Sequence, residues 1–191
     1  DNKIIYCENG WYNTKTNTSQ FRDNASITTE EYVLKGDSIY YNRNLGYGKV
    51  IQNVEVLDTV NNLTVFGGFA EYFENEKLVK ITKNPLLQIM LEKDTLFMHA
   101  DKFISQQKTT NKSLLAHNNV KFFKKNIQGK CDSLSYNFSD STIEMFNKPI
   151  IWSNEYQITA DSIQLLLHNE KISRIFFNPN PMIIAKIDSL D

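Results

Sequence analysis

The chain has 191 residues, 41% hydrophobic and 12% aromatic, enough to bury a substantial core in one elongated domain. Its 21 basic and 22 acidic residues nearly cancel, which excludes a global electrostatic attraction to nucleic acid. No apolar run reaches the length of a membrane span, and the abrupt Asp1-Asn2-Lys3 start fits a chain whose signal peptide has been removed.

Residues 1–31 are the least regular part. Ile4, Ile5 and Tyr6 read as a strand, and Asn24-Ala25-Ser26-Ile27 is a partial copy of a pattern that recurs later. Thr29 to Leu34 is short, β-branched and aromatic, so a strand is expected there rather than a helix. From Tyr32 onward a three-segment unit returns. Its small residues are Gly36, Gly68, Ala100, Cys131 and Ala160, spaced by 32, 32, 31 and 29. Asp37, Asp101, Asp132 and Asp161 follow four of them, and Phe69 follows the other.

After each small residue comes a strand-like segment whose alternate positions share one face: Ile39 and Tyr41, Glu71 and Phe73, Phe103 and Ser105, Leu134 and Tyr136, Ile163 and Leu165. A polar turn and a further apolar stretch follow, as in Leu78 to Ile81 and Thr142 to Phe146. The second segment begins at an Asn or Pro corner, because Asn tolerates turn conformations and Pro interrupts ladder hydrogen bonding. It reads Asn53-Val54-Glu55-Val56, Pro85-Leu86-Leu87, Asn119-Val120-Lys121-Phe122, Pro149-Ile150-Ile151-Trp152 and Pro181-Met182-Ile183-Ile184. The third segment runs into the next small residue: Tyr32 and Leu34, Thr64 and Phe66, Leu96 and Met98, Tyr156 and Ile158.

Nothing sustains a helical period, and the reversals are too short for parallel crossovers, so the chain is expected to be all-β and antiparallel. Residues 1–191 read as a single domain of about six units of ~31 residues, a piece of a longer protein or the whole. A fixed period of this size marks a stacked architecture in which each unit buries its apolar face only against its neighbours. Function is then expected at a surface or groove. The inward rows predicted by this alignment are Ile39, Tyr41, Phe73, Phe103, Leu134, Tyr136, Ile163 and Leu165, facing Val54, Val56, Leu86, Val120, Phe122, Ile150, Trp152, Met182 and Ile184.

Catalytic chemistry is poorly supported. His99, His117 and His168 show no metal-ligand spacing, and there is no nucleophile elbow, P-loop or dinucleotide fingerprint. The repeated aspartates read as side chains that bond backbone amides at tight turns, since calcium β-rolls need dense Gly-Asp repeats and this chain has seven glycines. Cys7 and Cys131 lie four repeats apart, roughly 19 Å at about 4.8 Å per strand, whereas a disulfide needs Cα atoms within about 7 Å. No cofactor, metal or nucleic-acid partner is expected. Lys121, Lys124, Lys125 and Lys130 read as a solvated strand edge or loop.

Gly36-Asp37-Ser38-Ile39-Tyr40-Tyr41 with Asn53-Val54-Glu55-Val56, Gly67-Gly68-Phe69-Ala70-Glu71-Tyr72, Cys131-Asp132-Ser133-Leu134-Ser135-Tyr136 and Ala160-Asp161-Ser162-Ile163 together resemble the OstA/LptA family of lipopolysaccharide-transport proteins. The chain departs from the family pattern in its three corner prolines and in Phe69. The resemblance implies a twisted, open β-jellyroll in the periplasm whose apolar groove shields lipid acyl chains on their way to the outer membrane. The groove would be lined by Ile39, Tyr41, Val54, Val56, Phe73, Phe103, Val120, Phe122, Leu134, Tyr136, Ile150, Trp152, Ile163 and Leu165, with Lys121 and Lys124 near lipid phosphates. Implied partners are lipopolysaccharide or a related amphiphile, other transport-bridge proteins docking on edge strands such as Met182 to Ile187, and further copies added head to tail. The contrasting readings are a structural or adhesive β-solenoid with a dry core, and a carbohydrate-active β-helix, for which the outward acidic cluster at one rung is not evident.

Overall fold

The computed structural model describes residues 4–30, 32–60, 62–91, 94–108, 111–168 and 171–185. Among them every regular element is a strand, and every pairing is antiparallel. Strands β1 (Ile4–Tyr6) and β2 (Asn9–Asn13) precede four long ones: β3 (Thr18–Thr28), β4 (Tyr32–Asn42), β5 (Tyr47–Asp58) and β6 (Leu63–Phe73). Shorter strands follow as β7 (Leu78–Thr82), β8 (Leu86–Met90), β9 (Thr95–His99), β10 (Lys102–Lys108), β11 (Asn111–His117), β12 (Val120–Lys124) and β13 (Ile127–Cys131). The last are β14 (Ser133–Asn137), β15 (Thr142–Phe146), β16 (Ile150–Ser153), β17 (Tyr156–Thr159), β18 (Ser162–His168), β19 (Lys171–Asn178) and β20 (Met182–Ala185).

The long strands bend in mid-course, and their ladders skip between Arg22 and Ala25, Lys35 and Ser38, and Ile51 and Val54. At β6 the sheet forks. Its Leu63–Phe66 half pairs with β8 and its Phe69–Phe73 half with β7. From there two walls grow separately, β7-β10-β11-β14-β15-β18-β19 (the first wall) and β8-β9-β12-β13-β16-β17-β20 (the second wall). The bends of β3 to β6 continue both walls backwards, ending on β2 and β1. The chain crosses between walls at one line of corners, and hairpins close the far end of each wall. In section the protein is therefore a V, with corners at the vertex and the two hairpin lines at its mouth. This is a twisted, open β-jellyroll.

Two corner types alternate along the vertex. One places consecutive residues in the left-handed region: Asp23-Asn24, Gln52-Asn53, Lys83-Asn84, Asn118-Asn119 and Asn147-Lys148, all with φ between 49° and 61°. Asn and Asp dominate because their short polar side chains tolerate that region best after glycine. The other type carries the small residue, because the partner strand's side chain crosses directly over it. A Cβ on Gly36 would lie 2.2 Å from Val50 Cγ1, and one on Gly67 would lie 2.6 Å from Ile81 Cγ2.

Inside the V, cross-strand partners form unbroken rows. On the first wall Ile39, Val50, Ala70, Ile81, Phe103, Ala116, Leu134, Met145 and Ile163 are successive partners, each 0–4% exposed. The second wall answers with Leu34, Val56, Val65, Leu87, Met98, Phe122, Gly129, Ile151 and Ile158. Gly129 leaves room for the ring of Phe122, whose Cζ would otherwise sit 2.4 Å from a Cβ.

Three groove positions expected from sequence face the other way. Trp152 and Ile150 lie on the outer face of the second wall, with Leu86, Met182 and Ile184, because Pro85, Pro149 and Pro181 occupy the place of Val54 and Val120 rather than of the corner Asn. A one-residue slip turns every side chain over, so Leu87, Ile151 and Ile183 point inward instead. Phe73 is the third. Ile51 pairs with both Ser38 and Phe69, so Gly67 and Gly68 match Gly36 and Asp37, and the inward residues of β6 are Ala70 and Tyr72. Phe73 stacks on the outer face against Tyr47 at 5.3 Å, with the Lys80 ammonium 4.8 Å from its ring centre.

This register is tested by a pair of substitutions. Leu87→Ala, at a fully buried position, is expected to lose about 2–5 kcal/mol in urea unfolding, and Leu86→Ala well under half of that.

Candidate functional site

Exposure rises from vertex to mouth. Beside the vertex Val54, Pro85, Val120 and Pro149 are fully buried. One alternate position further out, the first wall carries Tyr41, Tyr72, Val79, Leu114, Tyr136, Ile143 and Leu165, mostly half-buried. The second wall carries Leu63, Ile89, Leu96 and Ile127, also half-buried, and Lys124 sits opposite Ile127. The interior is thus a trough with a closed floor and apolar upper sides. Small hydroxyls interrupt it at Ser19, which is buried, and at Ser105.

Of the residues expected in a groove, the structure brings together Ile39, Tyr41, Val54, Val56, Phe103, Val120, Phe122, Leu134, Tyr136, Ile163 and Leu165. It leaves out Phe73, Ile150 and Trp152. It adds Val50, Ile81, Ala116 and Met145, which come from the return strand of each hairpin, and Ala70, which holds on β6 the place that Ile39 holds on β4. Their signal was present in the alternation of Val79 with Ile81 and of Ile143 with Met145. Lys124 stands at the inner rim, whereas Lys121 faces outward beside His99 and Lys130.

The repeated aspartates accept from asparagine side chains of the next corner, not from backbone amides. Asn53 Nδ2 donates to both Asp37 oxygens at 3.0 Å, Asn119 to Asp101 at 2.9 Å, Asn147 to Asp132 at 3.3 Å and Asn180 to Asp161 at 2.8 Å. Each latch ties one corner type to the other. The fork is the exception. Gly68 stands at the aspartate position, where a Cβ would lie 2.8 Å from Lys83 Cβ, and Lys83 instead places its ammonium 5.7 Å from the Phe69 ring centre.

Both cysteines are free thiols. Burial, and next to it the Asp132 carboxylate, push the Cys131 thiol up to about 12, so it packs as a small apolar residue. Among the described residues no group of three or more His, Cys, Asp or Glu side chains could hold a metal ion. At the mouth the Tyr41 hydroxyl donates to Glu74, and on the outer face Tyr47 donates to Glu71 at 2.8 Å. Burial, reinforced by these carboxylates, raises both phenols from 10 to about 12.

Residues 79–171 match a family described as the LptA/(LptD N-terminal domain) LPS transport protein. Its members are transport proteins, not enzymes. No curated protein matches the chain. Among solved structures, it is similar to LptH, the LptA-homologous periplasmic component of the lipopolysaccharide transport device of Pseudomonas aeruginosa. That match has 8% identity and a TM-score of 0.38, and covers 98% of this chain and 95% of that one.

Two outcomes are expected. A phenol raised in the folded state stabilises it below pH 10, and that contribution is lost as pH climbs through about 12. Tyrosinate absorbance should therefore show late-titrating phenols, one of which Tyr41→Phe removes while making the alkaline fall in stability shallower. Asn119→Ala should lose about 1–2 kcal/mol in denaturant unfolding, from one hydrogen bond and the left-handed preference of Asn.

Proposed function

We propose that this chain, OstA/LptA-like across residues 79–171, acts in the periplasm and carries the acyl chains of lipopolysaccharide, or of a closely related amphiphile, in the trough of its V. The observation that carries the reading is the pair of apolar inner rows, continuous from strand to strand and graded from sealed floor to half-open mouth. Moving a chain from water onto such a lining gains about 0.8 kcal/mol per methylene, so a long acyl chain needs no polar anchor inside. Its phosphorylated head belongs at the rim, where Lys124 lies. A dry adhesive solenoid would have no use for apolar side chains left half-exposed at the mouth.

Residues 1–191 act in this reading as one unit, lengthened at its ends. The last strand leaves its inward Ile183 58% exposed, and the first leaves Ile5 uncovered as well. Edge strands with unpaired backbone groups and bare apolar side chains suit pairing with other bridge components or with a second copy, head to tail. Of the Met182–Ile187 segment expected to dock, the part beyond Ala185 lies outside the described residues.

Photocrosslinking tests the cargo. A benzophenone side chain at Tyr136 or Leu165, inside the V, should give lipopolysaccharide adducts in cells that make it, and one at Lys49 on the outer face should not. Adducts at neither inner position reject the reading. Sedimentation across about a hundredfold range of concentration should show association growing with concentration, and a strict monomer throughout rejects head-to-tail addition.

A further inference from the structure

The outer face of the second wall breaks the rule that the outside of such a fold is polar or charge-balanced. Along its row nearest the vertex, His99, Lys121 and Lys130 are successive cross-strand partners. Lys121 and Lys130 stand directly opposite each other, an arrangement that destabilises a sheet. Elsewhere on this row the design is the opposite, with Lys35 bonded to Glu55 at 3.0 Å. Beyond Glu55 the row runs Phe66, Leu86, His99, Lys121, Lys130, Ile150, Thr159 and Met182, with no carboxylate to answer the lysines.

The next outer row is aromatic. Phe97 and Phe123 are direct partners and are 37% and 53% exposed, and Trp152 follows two strands on. Lys130 places its ammonium 5.9 Å from the Trp152 ring centre, and the Trp152 indole N–H donates to Gln157 at 2.9 Å, which holds the ring in place. Between the rows lies a depression of about 360 Å³ lined by these side chains, at the small end of the range for small-molecule sites.

We propose that this depression is a second binding site, outside the V, for a single anionic amphiphile: the apolar chain lies across Phe97, Phe123 and Trp152, and the anionic group seats between Lys121 and Lys130 with His99 as a further donor. Charge complementarity selects the occupant. An anion between two opposed ammonium groups converts their repulsion into two charge-assisted hydrogen bonds, while a neutral apolar ligand would leave the repulsion intact. The site does not share a wall face with the trough and does not depend on the trough's cargo.

The chain has two tryptophans, so Trp11→Phe leaves Trp152 as the reporter. Titrating dodecyl phosphate below its micelle concentration should shift Trp152 fluorescence saturably, and dodecyl maltoside should not. Lys121→Gln with Lys130→Gln should weaken the dodecyl phosphate response about tenfold or more. The same double variant should unfold at equal or higher denaturant without ligand, because a repulsion has been removed. An unsaturable response, an equal response to the neutral detergent, or no effect of the lysine variant overturns the proposal. So does a shift seen only with anionic phospholipid vesicles, which would make the face a membrane-contacting surface. Loss of inner-face lipopolysaccharide adducts with this response intact would strike the trough reading alone.

Discussion

The structure depends on a backbone that turns through a sharp corner without ending its strand. Two consecutive residues in the left-handed region do this, and for residues other than glycine that conformation is unfavourable. Repetition along the vertex is tolerated because each strained pair is locally compensated. Asparagine supplies the short side chain the region accepts, and at most corners its amide also reaches the aspartate of the neighbouring corner. The vertex is therefore a line of strained backbone tied across by side-chain hydrogen bonds. Everything inside the V inherits its spacing from it.

That constraint explains how much of the fold was legible in the sequence. A small residue followed by aspartate at a period near thirty is the imprint of the vertex, and it identified the all-β repeat and the family likeness. Faces were harder to read. At Leu86-Leu87 and Ile150-Ile151 both neighbours are apolar, since the outer face there is apolar too, so the alternation that normally distinguishes inside from outside is silent. Proline misled for a related reason: treated as a turn-former it aligns with Asn53, whereas its ring fills the buried place of Val54. At Gly67-Gly68 two adjacent glycines offered two registers, and only the ladder from Ile51 chooses between them.

The two walls differ in what they show to solvent. The outer face of the first wall is ordered by tyrosine–carboxylate and lysine–aromatic contacts, as at Tyr47, Glu71, Phe73 and Lys80. The second wall beyond the fork also sets a lysine over an aromatic ring, at Lys130 and Trp152, but its lysine row holds no carboxylate. A fold whose interior is fixed by stacking is free to vary its exterior, because an outer residue meets only its cross-strand neighbours. Exterior chemistry is then where members of such an architecture can diverge.

The sameness of the inner rows has a further consequence. Most strands present apolar surface at the same depth as the one before, broken only locally at Ser19, Ser105 and Gly129, and among the described residues no charged side chain is buried to mark a stopping place. For an apolar chain lying along the trough the free energy is a shallow corrugation with a wavelength of about 4.8 Å, the strand spacing. If the trough carries acyl chains as proposed, such a track would hold its load without choosing a direction. Any net drift would then have to be imposed from the two ends, by supply at one and removal at the other, with the fold between them acting as a passive rail.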